Sequence, residues 1–94
     1  MSQLIFNGVV TVDEEPYMSK GKAYCWVTHW TDDRKLYKNK YLLCGVRTEI
    51  IEKFLSLIEG DVISIRGHLG TLWSETEKER LCLFVTELLW VAEE

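Results

Sequence analysis

Only one stretch of this chain carries a helical period, and runs of strand-forming residues lie on both sides of it. In TEIIEKFLSLIEG, residues 48–60, the apolar positions Ile50, Ile51, Phe54, Leu55, Leu57 and Ile58 trace one face at the 3.6-residue repeat. Thr48 reads as the N-cap, Glu49 and Glu52 suit the first turn, and Gly60 suits the stop. A single amphipathic helix of this length cannot bury its apolar face alone, so the flanking strands must supply the core.

Those flanks read as strands. Residues 4–12, LIFNGVVTV, are rich in β-formers, and Gly8 in mid-run predicts a bulge or bend. Residues 13–22 are polar, hold Pro16 and Gly21, and read as a connection. Residues 23–31 form a second strand, 32–36 a turn, and 37–44 a third strand ended by Gly45. After the helix, residues 61–73 place Ile63, Ile65, Gly67 and Leu69 on one face and Ser64, Arg66, His68 and Gly70 on the other. An acidic loop over 74–79 and a long fifth strand over 80–91 complete the chain. Three strands, one helix and two strands predict an all-β fold: a five-stranded antiparallel OB-fold barrel with one α-helix between the third and fourth strands, a single domain over residues 1–94. Gly8 and Gly67 fall where a tightly curled barrel needs its strands to bend.

The second strand, AYCWVTHW at 23–30, raises the functional question. Alternation puts Tyr24, Trp26, Thr28 and Trp30 on one face and Cys25, Val27 and His29 on the other. Large aromatics on one side of a strand fill a core, close an oligomer interface, or offer flat surfaces to a flat ligand. Charge bears on that choice. The net charge is −4, yet between Lys20 and Arg47 seven basic residues stand against two acids, a local excess of cations inside an acidic chain.

Other functions find no support in the residues. Cys25, Cys44 and Cys82 are odd in number and form no C-x-x-C pair, which fits reduced thiols in a cytoplasmic protein and no disulfide framework or zinc site. His29 and His68 do not sit at metal-ligand spacing from them. No nucleophile–base pair, phosphate loop or paired-carboxylate setting stands out, so no enzyme, metal or cofactor is expected. No apolar run approaches the roughly 18 residues needed to cross a bilayer, and MSQLIFNGVV lacks the basic and apolar parts of a secretion signal.

Five pieces in order bear a family likeness: QLIFNGVV, PYMSKGKAY, the helix EIIEKFLSLIEG, VISIRGHLGT and VTELL. Together they resemble the DNA-binding domain of bacterial single-stranded DNA-binding proteins, from Gln3 to about Leu89. The resemblance implies a sequence-independent single-stranded DNA-binding protein of replication, recombination or repair. It also implies that the face carrying Tyr24, Trp26 and Trp30 looks outward to DNA. The chain departs from that family where third-strand aromatics are usual: the matching positions hold Lys38 and Cys44. Trp73 stands one place before the usual loop aromatic, and TDDRKLY is a short loop. The sequence stops at WVAEE, without the linker and acidic tip by which that family recruits other replication and repair proteins.

The expected site follows from both lines of reading. Tyr24, Trp26, Trp30 and Trp73 stack on bases, while Lys22, Arg34, Lys35, Lys38, Lys40, Arg47 and Arg66, with His68, line the phosphate path. Trp90 is expected to be structural, and His29 to be a hydrogen-bonded core histidine. Stacking does not distinguish the two sugars, so RNA stands beside single-stranded DNA as a ligand. Residues 41–44 and 81–89 are apolar on both faces, which predicts a homodimer or homotetramer. The competing reading keeps the fold and makes it an assembly subunit of a replication complex, binding replication proteins and little DNA; the acidic loop and acidic ends favour it.

Overall fold

The computed structural model describes the backbone of residues 5–30, 38–73 and 79–91, and the side chains of the same residues except 30, 38, 72, 73, 79 and 80. Its elements are β1 (Ile5–Val12), β2 (Tyr17–Ser19), β3 (Lys22–Trp30), β4 (Lys38–Gly45), α1 (Thr48–Leu55), β5 (Val62–Trp73) and β6 (Glu79–Trp90). The strands run β1-β5-β6-β4-β3-β2, and a further β1–β3 pairing closes the sheet on itself. The five long strands and one helix therefore form the expected OB-fold barrel, with the helix between the third and fourth of them. Two details differ from expectation. The β4–β6 pair is parallel, and the connection over 13–22 contains the extra strand β2.

That strand exists because Lys20 and Gly21 form a two-residue hairpin turn, both at positive φ (51° and 78°), which sets Ser19 opposite Lys22 and Tyr17 opposite Tyr24. Lysine at a left-handed position is uncommon, so residue type alone does not announce this turn.

The barrel interior takes small and branched side chains from every long strand. Val10 and Val12 come from β1, Ala23, Cys25 and Val27 from β3, Leu43 from β4, Ile63 and Ile65 from β5, and Leu83, Val85 and Leu88 from β6. The helix closes one end with Ile50 and Phe54, followed by Leu57. Lys53 donates from Nζ to the Leu88 carbonyl at 2.8 Å and ties the helix to β6. Gly45 lets the helix approach: a Cβ there would lie 3.0 Å from Ile50 Cγ2.

The helix is shorter than its apolar period. Its N-cap is Arg47, in extended conformation and without a side-chain cap, and its C-cap is Ser56. Leu57 still reaches the core, but Leu55 and Ile58 are exposed, so the apolar face is narrower than the spacing predicted. Past Ser56 the chain is captured by tertiary bonds. The Asp61 carboxylate accepts the Ile58 N–H at 3.0 Å, and the Gly60 N–H donates to the Val12 carbonyl at 2.8 Å.

The two strand glycines behave differently. Gly8 makes no bulge, since β1 pairs β5 continuously from Ile5 to Thr11; its missing Cβ leaves room for the Phe6 ring. At Gly67 the register with β6 shifts, and a Cβ would sit 2.4 Å from the Phe84 carbonyl oxygen. The bulge lets Val85 and Leu88, three residues apart, both face inward.

His29 does face inward, as expected, but one ring nitrogen departs from the expected hydrogen bonding. Its Nδ1 is buried without a hydrogen-bond partner among the described residues. The ring instead meets Phe6 edge to face, at 5.1 Å and 88°, and lies 6.1 Å from Tyr41.

Two measurements test this packing. Gly67→Ala drives a methyl into backbone that cannot swing away, so urea denaturation should show a loss of about 1–3 kcal/mol, larger than for Gly8→Ala, where a ring can yield. The Cys25 thiol is pushed up to about 12, first by burial and then by Asp13 and Glu14, from an ordinary value near 9. Its stabilising contribution is complete below the unfolded value and disappears as pH rises through the folded one. The urea midpoint should therefore fall from about pH 9 upward, and less steeply in Cys25→Ala.

Candidate nucleic-acid interface

Strict alternation along β3 separates two faces. Ala23, Cys25 and Val27 are fully buried in the barrel, while Tyr24 and Trp26 stand half-buried on the outside. Small side chains suit the inner face because a five-stranded barrel has little room. Thr28 also points outward but is covered: its hydroxyl lies 2.8 and 2.7 Å from the two carboxylate oxygens of Asp13 and donates to that group.

The two rings do not sit on bare backbone. Leu42 and Cys44 of β4 and Cys82 of β6 form a second, outer cluster, and Tyr24, Trp26 and Phe84 pack against it. This accounts for part of the apolar surplus in residues 41–44 and 81–89, since the outer faces of these strands floor an aromatic patch. A largely apolar cleft of about 370 Å3 has Trp26, Leu42, Leu69, Leu81 and Cys82 among its lining residues, together with Lys40.

The electrostatics vary across the patch. Burial, followed by the neighbouring Cys44, raises the Tyr24 phenol above its ordinary value, so it is a neutral ring at pH 7. A hydrogen bond from Cys82 holds the Cys44 thiol below its ordinary value, and the charge of Lys22 acts in the same direction. Lys22 and Lys40 share the outward face of the rings. Lys40 also borders a hollow with Trp26, Asp13 and Glu14, so one flank of Trp26 is acidic.

Of the expected residues, Tyr24, Trp26, Lys22 and Lys40 are thus brought together. Arg66 and His68 are on the outward side of β5, a strand that does not pair with β3. Arg47 is exposed at the start of the helix, two residues past β4. The backbones of Trp30 and Lys38 pair with each other, and Trp73 pairs with Glu79. Arg34 and Lys35 lie outside the described residues. Trp90, expected to be structural, is exposed and donates from Nε1 to Asp61 Oδ2 at 3.4 Å.

Sequence reasoning passed over two rings. Phe84 stacks on His68, with centroids 5.5 Å apart and planes at 22°. Tyr17 stacks on Tyr24 at 5.4 Å and 25°. The signal for Phe84 was the two-sided apolar pattern of the last strand, and for Tyr17 the PYMSKGKAY stretch across its Lys20–Gly21 turn.

No protein-family model matches the chain, and no curated protein matches it in sequence. Solved structures do match in shape. The mitochondrial single-stranded DNA-binding protein Rim1 from S. cerevisiae superposes with a TM-score of 0.76 at 11% identity, over 100% of this chain and 99% of its own. The Plasmodium falciparum single-stranded DNA-binding protein, in complex with single-stranded DNA, gives 0.74 at 15% identity, covering 98% of this chain and 97% of its own. A small single-stranded DNA-binding protein from Streptomyces coelicolor gives 0.73 at 15%, covering 97% and 94%. The fold of this chain is the one these single-stranded DNA-binding proteins share.

Proposed function

We propose that this protein binds single-stranded DNA without reading its sequence, as a non-enzymatic cytoplasmic factor in replication, recombination or repair. The observation that carries the reading is the outward pair Tyr24 and Trp26, half-exposed on an apolar floor with Lys22 and Lys40 on the same face. Every base has a π-face, so stacking on such rings is indifferent to sequence and contributes about 1–3 kcal/mol per base. Lysines beside the rings neutralise phosphates and release counterions. Fold likeness to proteins of this class supports the reading, though folds of this kind host many ligands and the argument rests on the site.

Self-association belongs to the proposal. β1 pairs with β3 only at Thr11 and Val12, so the edge of Ile5–Val10 facing away from β5 has no strand partner among the described residues. Ile5 and Val9 are exposed beside it. A second copy adding its own β1 satisfies that edge and gives a homodimer, or a homotetramer when dimers pair. Several sites on one assembly raise the effective affinity for a continuous strand.

Titration with oligo-dT, followed by tryptophan fluorescence at low and moderate salt, tests binding. The expected outcome is quenching whose midpoint weakens with salt. Trp26→Ala should bind about tenfold more weakly with its barrel intact by circular dichroism. Lys22→Gln and Lys40→Gln should each lower the salt slope by roughly one. Absence of quenching at both salts in folded protein rejects the proposal. The acidic flank of Asp13 and Glu14 beside Trp26 favours the assembly-subunit reading instead; under it, Trp26→Ala dissolves a protein complex and leaves nucleic-acid affinity unmoved. Parallel titrations with RNA rank the two sugars, and a monomeric mass by light scattering at micromolar concentration counts against the oligomer.

A further inference from the structure

The register places one row of side chains across the entire sheet. Tyr17 pairs with Tyr24, Tyr24 with Cys44, Cys44 with Phe84, Phe84 with His68, and His68 with Ile5. Paired residues on neighbouring strands point to the same side, so this row runs at right angles to the strands over the outside of the barrel. It carries two stacked ring pairs, Tyr17–Tyr24 at one end and His68–Phe84 next to Ile5 at the other. Between them lies only Cys44, fully buried, so the two stacks are separated by two strand spacings, about 10 Å.

The His68–Phe84 pair is shaped by a glycine. A Cβ at Gly70 would lie 2.5 Å from Phe84 Cε2 and 2.8 Å from Cδ2. The ring therefore reclines over β5 in the space that the glycine leaves, alongside the His68 ring. Neither ring belongs to the barrel core, and both remain partly exposed. Cations flank the row at each end: Lys22 stands two residues before Tyr24, and Arg66 two residues before His68. Arg66 is exposed and borders a shallow hollow of about 130 Å3 with His68 and Ile5. On this side of the rings the path avoids Asp13 and Glu14, which lie on the Trp26 side.

We propose that this row is the track of a bound single strand, which crosses the β-strands from the Tyr17–Tyr24 stack to the His68–Phe84 stack, the latter being a second base-stacking platform on β5 and β6. The inference rests on the reading of this protein as a single-stranded DNA binder and adds to it a direction and a far end. A short oligonucleotide occupies one platform; a longer one reaches both, and its phosphates pass Lys22 and Arg66.

The test is a length series of oligo-dT, from about four to about sixteen nucleotides, titrated against the wild type, His68→Ala, His68→Tyr and Gly70→Ala. Wild type should gain affinity in two steps as the strand lengthens. His68→Ala should lose the second step, about tenfold for the longest strands, and His68→Tyr, which restores a ring, should keep it. Gly70→Ala, by displacing the Phe84 ring, should lose the same step; circular dichroism and the urea midpoint check that each variant is folded. Equal affinity of wild type and His68→Ala for the longest strands overturns the track while the Trp26 site stands. Failure of wild type to bind any length overturns both.

Discussion

The short parallel contact between β4 and β6 joins the two halves of the molecule. It consists of two register pairs, Leu43 with Leu83 and Cys44 with Phe84. The first pair is buried inside the barrel, and the second faces the outer cluster. A parallel contact this brief gains little from backbone bonds alone, so side chains on both faces must hold it. Inside, Leu43 and Leu83 join the core. Outside, Leu42, Cys44 and Cys82 are covered by Tyr24, Trp26 and Phe84. The outward rings therefore also shield the seam between β4 and β6.

This double duty explains the residue types. A thiol is small, apolar and compatible with a closely packed floor, and a leucine or phenylalanine at 44 would lift the rings that lean over it. Cys25 serves the opposite face of β3 for the same reason of size. The bulge at Gly67 keeps Val85 and Leu88 on the inside despite their spacing, while leaving Phe84 outside against His68. Without that shift, one of the two sides would receive a residue of the wrong kind.

Local pattern made much of this legible. The faces of β3 follow from alternation alone, and the inward Ile50 and Phe54 of the helix and the irregularity at Gly67 follow from residue type and spacing, whereas the N-cap is Arg47 and not the Thr48 that residue type suggested. What escaped was non-local or paid for by tertiary contacts. Phe84 meets His68 through a register that joins residues sixteen apart, and Cys44 meets Phe84 across forty, so no short window contains either pair. The helix stops at Leu55 although the apolar period continues, because bonds to Asp61 and Val12 capture the following turn. His29 Nδ1 finds no partner among the described residues and the ring packs beside Phe6 and Tyr41, a neighbourhood assembled from β1, β3 and β4.

The net charge of −4 looks unfavourable for binding a polyanion, but distance decides the matter. At physiological salt, charges farther apart than about 8 Å are largely screened, so a phosphate responds to its immediate neighbours and little to the total. Along the outer row those neighbours include Lys22 and Arg66, with Lys40 beside Trp26. The Asp13 carboxylate on the other flank accepts the Thr28 hydroxyl, which fixes its position without cancelling its charge. A strand laid over Tyr24 therefore meets attraction toward Lys22 and repulsion toward Asp13. That gradient holds the strand on the Tyr24–Trp26 pair and favours its continuing across the sheet along the ring pairs over its running on down β3 beyond Trp26 toward Asp13.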